Sequence, residues 1–488
     1  MKQKYRTMAA AQLAMTMITG CSTSTAEASP AAEEQAAEST APAEENKGPG
    51  QPGGEKPDGN PPEKPDGNGG PGGGPGGAPG SSSADLSYAG AYEITAGSEE
   101  SGNTYTTSVS DESAMLIATA DDVTISDATV TKSGDSDGGD NCNFYGLNAA
   151  VLVKDGGTVT IAGGTITSDA EGANGIFCYG GNGAQNGAGG DGTTVIIRNT
   201  EITTTGNGSG GIMTTGGGIT YAYDLTVNTS GRSSAPIRTD RGGGTVYVEG
   251  GSYTSTGLGS PAIYSTAEIT VEDAELTSEL SEGVVIEGKN SVTLNDCDLT
   301  ADNTKCNGNA TFLDSIMIYQ SMSGDADSGT SSFTMTGGSL TSKSGHVFHV
   351  TNTSAVITLN DVEIVNEDSE NVLLSVCDDG WSGAGNTAML NASAQELEGM
   401  ILVGDNSYLT LSLTDGSEFT GAVSGEITDA SGNTISTEAG TVDVTLDDSS
   451  TWTLTADSYI TSFTGNAANV ITNGYTLYVN GTALTGTK

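Results

Sequence analysis

Positive charge is scarce in this chain, with 16 Lys and Arg against 62 Asp and Glu and a formal net charge of −46. That balance argues against a nucleic-acid partner, because a phosphate backbone needs a basic face. It suits a solvated extracellular surface, one able to collect divalent cations. Aromatic residues make up 5% and hydrophobic residues 34%, too little for a globule with a thick central core. Two architectures remain: disorder, or a thin repetitive fold in which each turn of chain buries a narrow column. The six cysteines are irregularly spaced, with no CxxC pair and no metal-ligand pattern. Histidine is nearly absent. His346 and His349 are the only two and lie far in sequence from every cysteine, so thiol chemistry lacks its usual base. The apolar run Met8 to Ile18 is too short to span a bilayer.

That run follows Lys2, Lys4 and Arg6 and ends in Ile18-Thr19-Gly20-Cys21, which resembles a bacterial lipobox. The resemblance implies a signal peptide over residues 1–20 and a diacylglyceryl group on Cys21. It also implies contact with the membrane through lipid alone, on the extracellular face. Residues 21–85 begin rich in Ala, Glu, Ser and Thr and become rich in Gly and Pro, with GEKPDGNPPEKPDGNGGPGGGPGGAPG from Gly54 to Gly80. Nothing there can bury a core, and we expect a disordered tether. Its r.m.s. span would be on the order of 45 Å, enough to lift the body into a cell wall.

Past residue 120 one pattern recurs: apolar at i and i+2, small at i+5, apolar at i+7, usually Thr at i+8. Examples are Val123/Ile125/Ala128/Val130/Thr131, Val159/Ile161/Gly164/Ile166/Thr167 and Val292/Leu294/Cys297/Leu299/Thr300. A copy near Ile219 reads as carrying one extra residue before Val227. Residues i and i+2 face one way along a strand and the odd residue faces the other. The small residue fits a bend toward the next strand. Val246, Ile269 and Val292 start copies 23 residues apart, too close for a βαβ unit and right for one β-helix coil. Each coil carries another short apolar strand, as in Gly175-Ile176-Phe177-Cys178 and Ala262-Ile263-Tyr264. Longer intervals are coils with loop insertions. The fold expected over 86–395 is therefore all-β, a right-handed parallel β-helix solenoid. Over 396–488 the alternation lengthens, as in Tyr408 to Leu413. We expect β coils of wider cross-section with a terminal cap, the alternative being a separate sandwich.

This repeat resembles the right-handed parallel β-helix superfamily, pectin-lyase-like in broad shape, and in particular the tethered surface β-helices of Gram-positive bacteria. The superfamily includes lyases, hydrolases, adhesins and binding modules, so the resemblance speaks to fold more than to activity. Its lyases imply an Arg or Lys base with Ca²⁺ held by acidic residues, and its hydrolases clustered Asp. This chain has no Asn-Thr-Asp motif, Gly345-His346-Val347 in place of Gly-His-Gly, and no Arg-x-Pro-x-x-Arg. A glycan-binding or adhesive surface protein is therefore the first reading, and a polysaccharide lyase or glycoside hydrolase the second.

The candidate site comes from the cations. Outside the expected signal, the tether and Lys488, only nine remain: Lys132, Lys154, Arg198, Arg232, Arg238, Arg241, Lys289, Lys305 and Lys343. Three of the arginines lie within ten residues. With Ile237 facing inward, Arg238 and Asp240 face outward beside Arg241. In-register coils would then line up Phe177, Met213, Arg238, Tyr264 and Glu287, with Tyr179 next to Phe177, about 4.8 Å apart per coil. Rings to stack on sugar faces and a guanidinium to hold a carboxylate or hydroxyl pair suit an oligosaccharide. An Arg–Asp network patching an acidic surface fits the same residues. Asp135, Asp137 and Asp140 alternate around a glycine turn and are the candidate ligands for a Ca²⁺ ion. Cys297 occupies a small i+5 slot and Cys178 follows Ile176 by two, so both are expected to be buried free thiols.

Overall fold

The computed structural model describes residues 86–182 and 189–488. The lipidation expected at Cys21 and the tether expected over 21–85 lie outside them. The described chain is a parallel β-helix solenoid. Each coil adds one strand to each of three columns, and each strand pairs in parallel with its counterpart in the next coil. Thr158–Ala162, Thr165–Ser168 and Ile176–Tyr179 pair with Thr194–Arg198, Glu201–Thr204 and Ile212–Thr215. Among the described residues no helix is long and apolar enough to cross a membrane.

The register stacks like on like. Val159 sits over Val195, Ile161 over Ile197 and Ile166 over Ile202, and these side chains are buried in one continuous core. Few apolar residues suffice because each inward position is covered by its neighbours above and below. Full burial of one such side chain contributes about 1.5–3 kcal/mol.

The corner between the first and second columns lies at i+4, one residue before the expected bend. Asp127, Gly163, Asn199, Asp224, Gly250, Asp273, Asp296, Gly337 and Asp361 all have φ between 49° and 69°. That left-handed conformation costs an ordinary L-residue roughly 1–2 kcal/mol, and Gly, Asn and Asp tolerate it best. The small residue at i+5 is small because it follows this turn and points inward.

The copy near Ile219 contains no extra residue. Thr220 pairs with Val195 and Val246, and Ala222 with Ile197 and Val248. Thr220, Ala222, Leu225 and Val227 therefore take i, i+2, i+5 and i+7, with Thr220 in an otherwise apolar slot. Its buried hydroxyl is satisfied by Thr214 Oγ1 at 2.6 Å.

Beyond Asn366 the second column stops. The coils then carry two long strands each, Asn386–Ser393 with Glu396–Val403 and Ser407–Thr414 with Glu418–Ser424. Uninterrupted alternation lengthens each strand without adding a third to the coil. Leu397, Phe419 and Trp452 continue the stack, with Phe419 and Trp452 rings 5.5 Å apart. Ser458–Ile460, Leu477–Val479 and Thr482–Ala483 form a small sheet at the C-terminal end.

Candidate functional site

The expected column on the third sheet exists in register: Phe177 over Met213, Arg238 and Tyr264. Glu287 is not in it. Tyr264 pairs with Val285, and Glu287 lies two residues further on, level with Tyr319. Nor is the column an open stacking face. Phe177, Tyr179, Met213, Arg238, Asp240 and Glu287 are all buried and Tyr264 is half-buried. The short helix Asp140–Tyr145 lays Phe144 and Tyr145 over Phe177, Tyr179 and Met213 as a second small core. This helix, part of the loop insertion between Lys132 and Val151, roofs the column.

Under that roof lies a charged network. Arg238 donates to Asp240 at 3.0 Å, to Asn143 at 3.2 Å and to the Ser233 carbonyl at 3.0 Å. Arg241 pairs with Asp325 at 2.6 Å and lies 4.0 Å over the Phe144 ring. Glu287 accepts from Tyr264 at 2.6 Å, from Tyr319 at 3.1 Å and from the Ser321 hydroxyl. Burial pushes the Asp240 carboxyl up to about 7 against the pull of Arg238, with Asp325 and Glu287 adding to the rise. Burial also raises Glu287. Such a carboxyl suits acid–base chemistry, but no face of it is open. The Arg–Asp network is what these residues build.

Asp135, Asp137 and Asp140 do not come together as a Ca²⁺ site. The Asp135 carboxylate accepts from the Glu171 amide, and Asp140 opens the short helix. No group of three or more His, Cys, Asp or Glu among the described residues is arranged to hold a metal. Cys178 and Cys297 are buried free thiols, pushed up by burial to about 12 and about 11.

The two histidines, far from any partner in sequence, meet one across coils. His349 Nδ1 is 2.7 Å from Ser375 Oγ and its Nε2 3.3 Å from Asp379 Oδ2. His346 Nδ1 lies 2.7 Å from the same hydroxyl. Burial pulls His346 down to about 3, with His349 adding to the fall. Burial pushes Asp379 up, yet the neighbouring His349 and hydrogen bonds from Thr311 outweigh it and hold the carboxyl below its ordinary value. The order Ser–His–Asp resembles a nucleophile relay, but Ser375 and His349 are fully buried and Phe312 stacks on His349 at 4.8 Å. Its contacts join side chains from three successive coils.

The face that is open is on the first sheet. Tyr221 and Tyr223 point outward from the coil that starts at Thr220, and Tyr247 lies directly beside Tyr221 in the next coil. Ring centroids are 6.3 Å apart for Tyr221–Tyr247 and 6.2 Å for Tyr223–Tyr247. The Arg198 guanidinium lies 3.8 Å over Tyr223. Arg198 is exposed and, among the described residues, has no ion-pair partner, unlike Arg238 and Arg241. At the other edge Tyr247 donates to Glu272 at 2.8 Å. Tyr221 is 36% exposed, and in the same row the two preceding coils present Thr160 and Ile196 and the coil after Tyr247 presents Thr270. The signal was Tyr-Ala-Tyr in a chain poor in aromatics.

No family model matches this chain, and no curated protein or solved structure is significantly similar to it.

Proposed function

We propose that this protein is a lipid-anchored surface β-helix that binds extracellular glycans on the Tyr221–Tyr223–Tyr247 face. One observation carries the reading: three neighbouring tyrosines and a stacked arginine stand on an otherwise Thr-rich outer sheet. The rings are tilted 55° and 57° to one another and offer separate faces to the apolar sides of sugars, and the guanidinium suits a carboxylate or a hydroxyl pair. Glu249 and Glu272 at the far edge supply acceptors for hydroxyls. The second reading, a polysaccharide lyase or hydrolase, rests on the raised Asp240 carboxyl beside Arg238 and requires the roof over it to open.

The test is a glycan array probed with the full chain, then titration with the polysaccharide it retains. Tyr221→Ala with Tyr247→Ala should weaken binding at least tenfold, about 1.4 kcal/mol, with thermal unfolding little changed. Arg198→Ala should weaken it similarly, since a charge-assisted hydrogen bond is worth about 1.5–3 kcal/mol. Arg238→Ala should lower the melting temperature and leave affinity alone. Unchanged binding by the tyrosine variants removes the platform. Unsaturated or reducing ends that accumulate with wild type and not with Asp240→Asn favour the enzyme.

A further inference from the structure

The step at which three columns become two leaves a strand without a partner. Glu363–Asn366 pairs with Ser339–Ser342 in the coil before it and with no strand in the coil after. Across from it, Glu396–Val403 pairs backward with Val372–Val376 only from Met400 onward, so Glu396 to Gly399 lacks a strand on that side. Between the two edges runs a groove of about 840 Å³.

We propose that this groove binds an extended peptide of alternating apolar and basic residues as an added β-strand. The backbone is in phase for it. The Glu363 amide bonds back to Gly338, so the alternation of a parallel ladder turns the Ile364 N–H and C=O toward the groove. The Met400 amide bonds back to Asn371, and Glu398, two residues earlier, faces the groove in the same phase. At the near end the Gln395 side chain already imitates a strand: Val362 N–H donates to its Oε1 at 2.9 Å, and its Nε2 donates to the Val362 carbonyl at 2.7 Å.

The side chains say what the peptide carries. Second-column inward residues are otherwise fully covered, with Val130, Ile166, Ile202, Val227, Tyr253, Leu276, Leu299 and Leu340 at 2% exposure or less. Ile364, the last of them, is only half-buried, because the strand that would cover it is missing. An apolar side chain fits over it. The outward positions on both sides are Glu363, Val365, Glu396 and Glu398, all exposed and three of the four acidic. Outward residues of an added strand would stand about 4.8 Å from those of the edge it pairs with, where opposite charges stabilise and like charges repel. Among the described residues no stretch alternates Lys or Arg with apolar residues, and the occupant proposed is another polypeptide. These carboxylates are not arranged for a metal ion. Main-chain pairing would supply affinity and the alternating side chains selectivity.

The test uses the full chain and three labelled hexapeptides read by fluorescence anisotropy: Lys-Val-Lys-Val-Lys-Val, its block isomer Lys-Lys-Lys-Val-Val-Val, and Glu-Val-Glu-Val-Glu-Val. The alternating basic peptide should bind at least tenfold more tightly than its block isomer, and the acidic peptide not at all. Binding should slow hydrogen exchange at the Ile364 and Glu398 amides. Glu396→Lys with Glu398→Lys should weaken binding at least tenfold with the melting temperature unchanged. Equal binding of the block isomer, unchanged binding by the double variant, protection of the same amides by CaCl₂ alone, or no binding by the alternating peptide each overturns the proposal.

Discussion

Asp240 is a carboxyl held neutral by its surroundings. Its pKa stands near 7 against an ordinary 3.8, so between those values the folded chain holds a proton that the unfolded chain has released. Stability from this group is therefore fully present below about pH 4 and is lost as pH rises through about 7. Asp240→Asn removes the titration. Its melting temperature relative to wild type should rise between pH 5 and pH 8, and a difference that stays constant over that range would show that Asp240 does not titrate there. The residue types of this site were legible in the sequence, and the Phe177–Met213–Arg238–Tyr264 register followed from the repeat. Burial did not, because the roof over those residues comes from insertions that obey no period. The tyrosine platform was hidden for a different reason. Starting one copy at Ile219 instead of Thr220 turns Tyr221 and Tyr223 inward, and a one-residue slip reverses every side chain of a strand.

At the scale of the strand, alternation is the strongest constraint. Leu294 is fully buried between Val271 and Met335, while Thr293 stands outward between Thr270 and Thr334. Leu294→Asp buries an unpaired charge and should cost several kcal/mol. Thr293→Asp should be nearly silent. Denaturant unfolding of the two variants checks this, and equal losses would contradict the alternation. The corner was only half legible. The small residue at i+5 drew attention, while the turn is made by Asp, Asn or Gly at i+4, a position whose chemistry is backbone conformation and not size. Ala394, at φ 50°, is the one corner occupied by a residue poorly suited to it, and it lies where the second column has ended.

For the whole molecule, the Ile18-Thr19-Gly20-Cys21 motif yields a prediction about fractionation. Cys21→Ser should move the protein from the membrane fraction into the medium or leave it unprocessed, and a variant that matures and sediments like wild type removes the anchor. The solenoid has a mechanical consequence as well. Its strands lie across the long axis, so the hydrogen bonds between coils run along it and bear any pull applied to the two ends. Such a rod yields coil by coil, as a ladder loses rungs. After Asn366 the second column's ladder stops and two ladders carry the load, and in the C-terminal coils these shrink to Asp443–Thr445 and Trp452–Thr453. Stretched by its ends, the rod parts there first.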